Sequence, residues 1–258
     1  MIAILFSLLI GCLEQPEKTE QKVNKPTIEQ IKKATKLPEK PTMKSAPTGT
    51  DPLLNPTLAQ ETAPEKFTVL FETTKGDFLV EVTREWAPMG ADRFYNLVKI
   101  GYYKDIAFFR VIAGFMAQFG MHGSPDINRA WQRSTLKDDP VRESNKRGYV
   151  TFAKTRAPNS RSMQLFINYG NNSNLDSTGF APIGKVIDEP GKGGGMSVVD
   201  KLYADYGEGG RGGRGPSQKL MGERGNSYLK KEFPNLDYIK STRICGEGNV
   251  ENAPEYCP

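Results

Sequence analysis

Eight short runs of β-branched and aromatic residues recur after residue 66, and short connections join most of them. That recurrence is the strongest constraint on the fold. FTVLFET (67–73) and DFLVEVT (77–83) flank Thr74-Lys75-Gly76, a hairpin signal. AFFRVIA and FMAQFG follow, then GYVTFA, MQLFINY, FAPIGKVID and finally LDYIKSTRI at 236–244. Successive strands with short connections favour antiparallel pairing. So many strands in so short a stretch favour closure into a barrel, which removes exposed edges. Only two helices are predicted. One opens at Pro88, carries Phe94, Leu97 and Val98 on one face and ends at Gly101. The other is SVVDKLYADY, capped by Ser197.

The run FFRVIAGFMAQFG (108–120) reads as two strands joined at Gly114, apolar except for Arg110 and Gln118. Side chains alternate between the faces of a strand. Residues 108, 110 and 112 are therefore expected on one face of the first strand, and 116 and 118 on one face of the second.

This hairpin, Phe109-Arg110-Val111-Ile112-x-Gly114-Phe115-Met116-x-Gln118, resembles the signature of the cyclophilins, the peptidyl-prolyl cis-trans isomerases. A second block resembles them too: Met163-Gln164-Leu165-Phe166-Ile167-Asn168, Leu175-Asp176, and Gly179-Phe180-Ala181-Pro182-Ile183-Gly184-Lys185-Val186. The likeness spans about residues 66 to 244, and the Gly-Phe-Ala-Pro form and the C-terminal EFPNLDYIKSTRI look like a bacterial branch. It implies a mainly β fold: a closed eight-stranded antiparallel barrel capped by two α-helices, with a groove on its outer face. It also implies that Arg110 is catalytic. Phe115, Met116, Phe166 and Leu175 would form the apolar pocket for a proline ring. Gln118 and Gln164 would hold the flanking peptide, and Ala153 and Lys154 would pin it through their main chain. Phe109 and Phe180 stand where many members have histidine, and Lys154 where they have asparagine. Asn174 stands where cyclosporin-sensitive members have tryptophan, which implies weak cyclosporin binding. No cofactor or metal is implied, and the chain is expected to act as a monomer on proline-containing, unfolded or flexible polypeptides. The rival reading is a chaperone-like module that holds proline segments with little turnover; Phe109 and Lys154 favour it.

The remaining chain is different in kind. MIAILFSLLIGC is too short to span a membrane and resembles a bacterial lipoprotein signal, with Cys12 as the lipidated residue. No Lys or Arg precedes its apolar run, a departure from that pattern. Residues 13–65 hold eight prolines and no aromatic residue, with eight lysines balancing eight acids. Such a segment buries too little apolar surface to offset its ordering entropy, so a disordered tether is expected. These features imply an exported, membrane-anchored protein, on the periplasmic or cell-surface side. Residues 245–258 are expected as a C-terminal tail, in which Cys245 and Cys257 are either paired or free.

The net charge of +5 over 258 residues is too weak to imply a polyanionic partner. GEGGRGGRG (207–215) mimics both a dinucleotide loop and an RNA-binding segment. It follows a predicted helix rather than a strand and carries only Arg211 and Arg214, so it is expected to be a flexible surface loop that binds no nucleic acid. Residues 121–147, with Trp131 and the lone His122, have no assigned role.

Overall fold

The computed structural model describes residues 49–189, 193–210 and 213–247. Its framework is one curled antiparallel sheet. The strands are β1 (Lys66–Thr73), β2 (Gly76–Thr83), β3 (Ile106–Ala107), β4 (Arg110–Ile112), β5 (Met116–Phe119), β6 (Tyr149–Phe152), β7 (Leu165–Asn168), β8 (Pro182–Glu189), β9 (Gly193–Gly194) and β10 (Tyr238–Glu247). The paired order is β3-β10-β1-β2-β8-β6-β7-β5-β4, with β9 attached to β8.

The mainly β, antiparallel expectation holds; among the described residues the sheet has ten strands against the eight expected, and its paired path runs from β3 to β4 without a closing pair. Those end strands are successive in the chain, linked only by Phe108 and Phe109. The link shifts the expected alternation. Phe108 packs in the main core against Phe119, with ring centroids 5.3 Å apart. Phe109 is equally buried but belongs to a second cluster with Met121, Met221 and Leu229. Residues 108 and 110 therefore do not share a face, because the chain changes partner strand between them.

Alternation is otherwise regular and fills the concave side. Phe67, Val69 and Phe71 of β1 enter the core with Phe78, Val80 and Val82 of β2. Phe71 lies at the centre, stacked on Phe78 at 4.9 Å and met edge-on by Phe119 at 5.9 Å. Helix α1 (Pro88–Lys99) buries Ala91, Phe94, Leu97 and Val98 against these rings. Its first turn is capped from a distance: the N–H groups of Met89 and Gly90 donate to Asp139, at 3.0 and 2.9 Å.

Other helices depart from expectation. Residues 121–147 contain α2 (Pro125–Arg133), which buries Trp131 completely. The helix predicted to begin at Ser197 is α3 (Gly195–Val199), only five residues long. Ser197 lies inside it and donates its hydroxyl to the Gly194 carbonyl at 2.6 Å instead of capping a first turn. Two further helices, α4 (Gln218–Arg224) and α5 (Asn226–Glu232), cover Phe109. LDYIKSTRI does form the closing strand, and β10 extends it to Glu247, past the expected start of the tail.

The tether boundary also moves. Residues 49–65 pack on the domain, while residues 13–48 lie outside the described residues. Ala59 and Ala63 are buried in the main core. Polar side chains replace the missing apolar surface: Asn96 exchanges hydrogen bonds with the backbone of Glu61, and Asp92 accepts from the Ala63 N–H. The Trp131 indole N–H donates to the Leu53 carbonyl at 2.9 Å, and the Arg93 guanidinium lies 5.1 Å from the indole ring.

Trp131→Ala should therefore lower the unfolding free energy by about 3–5 kcal/mol in a urea titration and expose residues 49–65 to proteolysis. A loss under about 1 kcal/mol with unchanged cleavage would show that this joint carries no weight.

Candidate active site

The site begins with the register of β4 against β5. Arg110 pairs with Gln118, Val111 with Ala117 and Ile112 with Met116. Val111 and Ala117 point into the core, which sends Arg110, Met116 and Gln118 to the outer face. Between the strands Gly114 adopts φ +74°, the left-handed conformation a turn of this tightness needs. On the other side of β5, Gln118 pairs with Phe166 of β7, so Phe166 extends the same outer face.

Two loops complete the wall. A 3₁₀ turn at Ser173–Thr178 presents Leu175, and the chain then turns through Gly179 to Phe180. Asp176 anchors this segment, accepting from the Ser144 hydroxyl at 2.5 Å and from the Asn145 amide at 2.8 Å. Asn145 also donates to the Phe180 carbonyl at 2.8 Å. Burial disfavours the ionised Asp176, but these hydrogen bonds outweigh it and hold the carboxyl below the usual carboxylate range.

The resulting groove has a volume of about 280 Å³. Arg110, Phe115, Met116, Gln118, Ala153, Lys154, Phe166, Leu175 and Phe180, all expected from sequence, line it together with Gln218. Gln164 joins through a hydrogen bond, accepting from Gln118 at 2.8 Å. Phe109 does not line the groove; it faces an adjoining cleft of about 250 Å³, next to Arg110 and Glu208. Phe180 meets Phe166 edge-on at 5.9 Å, making one rim apolar. Asn174 is exposed and is not part of the lining.

Arg110 is held on several sides. Its Nε and Nη2 donate to the two carboxylate oxygens of Glu208, at 2.8 and 2.6 Å. Its Nη1 donates to Gln118 Oε1 at 3.0 Å and lies 3.6 Å from Met116 Sδ. The Phe115 ring centroid is 5.7 Å from the guanidinium carbon. The polar relay continues from Gln118 through Gln164 to Gln218, the last step at 3.2 Å. Glu208 and Gln218 were not expected. Both lie far along the chain from either motif, and the only local signal for Glu208 is a single acid among glycines.

Lys154 is turned aside. Its ammonium lies 3.2 Å from Asp138 and its side chain is almost fully buried. Burial works against an ionised Asp138, but the Asn159 N–H, the Lys154 ammonium and Arg161 together hold its pKa below the ordinary value. The Ala153 N–H is already paired with the Gln164 carbonyl at 2.8 Å. His122 lies apart, its Nδ1 accepting from the Ser124 N–H at 2.9 Å, and burial lowers its pKa. Among the described residues no group of three His, Cys, Asp or Glu side chains is placed to hold a metal ion. Cys12 and Cys257 lie outside the described residues.

Residues 68–219 match the family described as cyclophilin type peptidyl-prolyl cis-trans isomerase/CLD. Peptidyl-prolyl cis-trans isomerase B of Escherichia coli K12 is 31% identical over 142 residues, covering 52% of this chain and 82% of that one. Peptidyl-prolyl cis-trans isomerase-like 3 of Rhizopus delemar is 35% identical over 152 residues, covering 53% and 84%. Among solved structures, a cyclophilin type peptidyl-prolyl cis-trans isomerase of Cryptosporidium parvum superposes with a TM-score of 0.50 at 20% identity, over 71% of this chain and 99% of that one. Cyclophilin AquaCyp293 from Hirschia baltica gives 0.50 at 20% identity, over 74% and 78%.

Proposed function

Because the chain belongs to the family of cyclophilin-type peptidyl-prolyl cis-trans isomerases, we propose that its groove binds an X–Pro segment of a polypeptide and speeds rotation about the X–Pro bond. The observation that carries this is one guanidinium, fixed in direction, at the edge of an apolar pocket.

An X–Pro amide resists rotation because the nitrogen lone pair is delocalised into the carbonyl, with a barrier of roughly 18–20 kcal/mol. Spontaneous exchange therefore takes roughly tens to hundreds of seconds. As the bond twists, the lone pair returns to a pyramidal nitrogen, which becomes a hydrogen-bond acceptor only then. A donor fixed in advance favours that state over either ground state. Arg110 supplies it. Glu208 and Gln118 take three of its five N–H groups; the second on Nη1 meets only the weak acceptor Met116 Sδ, and the second on Nη2 is left for the substrate. A charge-assisted hydrogen bond is worth roughly 1.5–3 kcal/mol, or roughly one to two decades of rate.

Phe115, Met116, Phe166 and Leu175 hold the proline ring while the preceding residue turns. Burying a ring of that size contributes about 2 kcal/mol. Lys154 contributes main chain rather than charge, since its ammonium is engaged with Asp138. No covalent intermediate, cofactor or metal enters this scheme.

The clients are proposed to be exported polypeptides, reached from a membrane surface. Support comes from the apolar run ending at Cys12 and from the Pro-rich, charge-balanced segment that follows it. Among the described residues no helix is long and apolar enough to cross a membrane. The holding-module reading keeps one specific support, the replacement of the usual asparagine by Lys154.

Arg110→Ala should slow catalysed cis-trans exchange of a short X–Pro peptide, read by NMR exchange spectroscopy, by at least about tenfold. Peptide binding should survive. Unaccelerated exchange by the unaltered chain, with peptide still bound, would leave a holding module and no enzyme. For the anchor, a radioactive fatty acid fed to expressing cells should label the chain and not its Cys12→Ala variant. Label persisting in that variant would remove lipidation at this residue.

A further inference from the structure

We propose that Glu208 is the positioning residue for Arg110, and that the glycine-rich loop around it exists to deliver its carboxylate. This rests on the isomerase reading and adds to it a residue outside both sequence motifs. An exposed ion pair ordinarily contributes little. This one is bidentate, with both carboxylate oxygens on the Nε–Nη2 edge of a guanidinium that is itself mostly shielded from solvent. Gln118 holds the opposite nitrogen, Nη1. With both ends held, the plane of the fork cannot rotate about its last side-chain bonds, and the remaining N–H on Nη2 keeps a fixed direction, as does the Nη1 N–H beside Met116 Sδ. Without Glu208 the polar contacts would be confined to Nη1, with Gln118 and Met116 Sδ, and the Nε–Nη2 edge would be free to swing beside the Phe115 ring.

The loop is built for this placement. The Gly209 N–H donates to Glu208 Oε1 at 3.0 Å, and the Gly215 N–H donates to the Glu208 carbonyl at 2.8 Å. A Cβ on Gly213 would collide with that same carbonyl oxygen, and one on Gly209 would collide with the carbonyl of Pro216. These glycines permit close backbone approach around Glu208, while the loop lies on the surface as expected, with Glu208, Gly210, Gly213 and Arg214 exposed.

Two effects of the carboxylate oppose each other. Orientation speeds the reaction, because it removes a search the guanidinium would otherwise make at each turnover. Partial neutralisation slows it, because a shared cation is a weaker donor toward the twisted nitrogen. The double-sided clamp favours orientation as the larger effect.

The test measures kcat and KM of the full chain on an X–Pro peptide. Glu208→Ala should lower kcat by about tenfold, with KM within about twofold and the unfolding midpoint unchanged. Glu208→Gln, which keeps one acceptor, should fall between Glu208→Ala and the unaltered chain. Gly213→Ala, which moves the loop but keeps the carboxylate, should reproduce part of the loss. In an Arg110→Ala background, Glu208→Ala should change nothing further, since a positioning residue has no effect without the group it positions. Unchanged or raised kcat in Glu208→Ala, or an undiminished effect in the Arg110→Ala background, would overturn the proposal while leaving the isomerase reading intact. Absence of acceleration by the unaltered chain would remove both, and is distinguished by appearing in every sample.

Discussion

Arg110 faces Gln118 across an antiparallel pair whose neighbouring positions, Val111 and Ala117, are sealed in the core. That register fixes the rest of the site. A slip of one residue would drive a guanidinium into a packed cluster of phenylalanines and lift Val111 and Ala117 to the surface. Burying an unpaired charge costs far more than any register gains, so the core selects the one pairing that places Arg110 outside. The apolar wall follows from the same rule, because Met116 and Phe166 occupy equivalent outward positions on β5 and β7. The interior that stabilises the fold and the groove proposed to bind peptide are two faces of the same strands.

The groove is held from behind by buried charges. Arg161 is fully buried, 2.9 Å from Asp139 and 3.6 Å from Asp138. Asp139 also accepts from the first turn of α1, and Asp138 pairs with Lys154 at the groove wall. One cluster therefore joins helix, core and groove. Removing a member of such a cluster leaves an uncompensated charge, a larger penalty than the net worth of the intact pair. This arrangement explains how a lysine can stand at the groove: Asp138 draws its ammonium away and leaves only its backbone for the peptide contact proposed above.

What the sequence made legible follows from the range of the forces involved. The hairpin and the β7 strand are decided by a two-residue period, which any local stretch carries, and nine of the expected side chains line one groove. The places of Phe108 and Phe109 were not legible, because the slip between them arises when β3 and β4 take different partners, β10 and β5. Residues 49–65 look unpackable by composition, yet backbone hydrogen bonds to Asn96 and Asp92 hold them where apolar contacts are few. Glu208 was hidden because glycine-rich composition is the same whether a loop is mobile or closely packed. Its reach to Arg110 shows only in the fold, where the Gly209 and Gly215 N–H groups hold Glu208 in place.

One groove is proposed both to hold and to turn the X–Pro bond. Its most direct test titrates an X–Pro peptide into the chain carrying ¹³C-methyl labels on Met116 and Leu175, with peptide exchange recorded in the same tube. The methyl resonances of both residues should shift with the concentration dependence of the exchange acceleration. Accelerated exchange with the methyls of both residues unmoved would place the chemistry elsewhere on the molecule and contradict a single holding and turning groove.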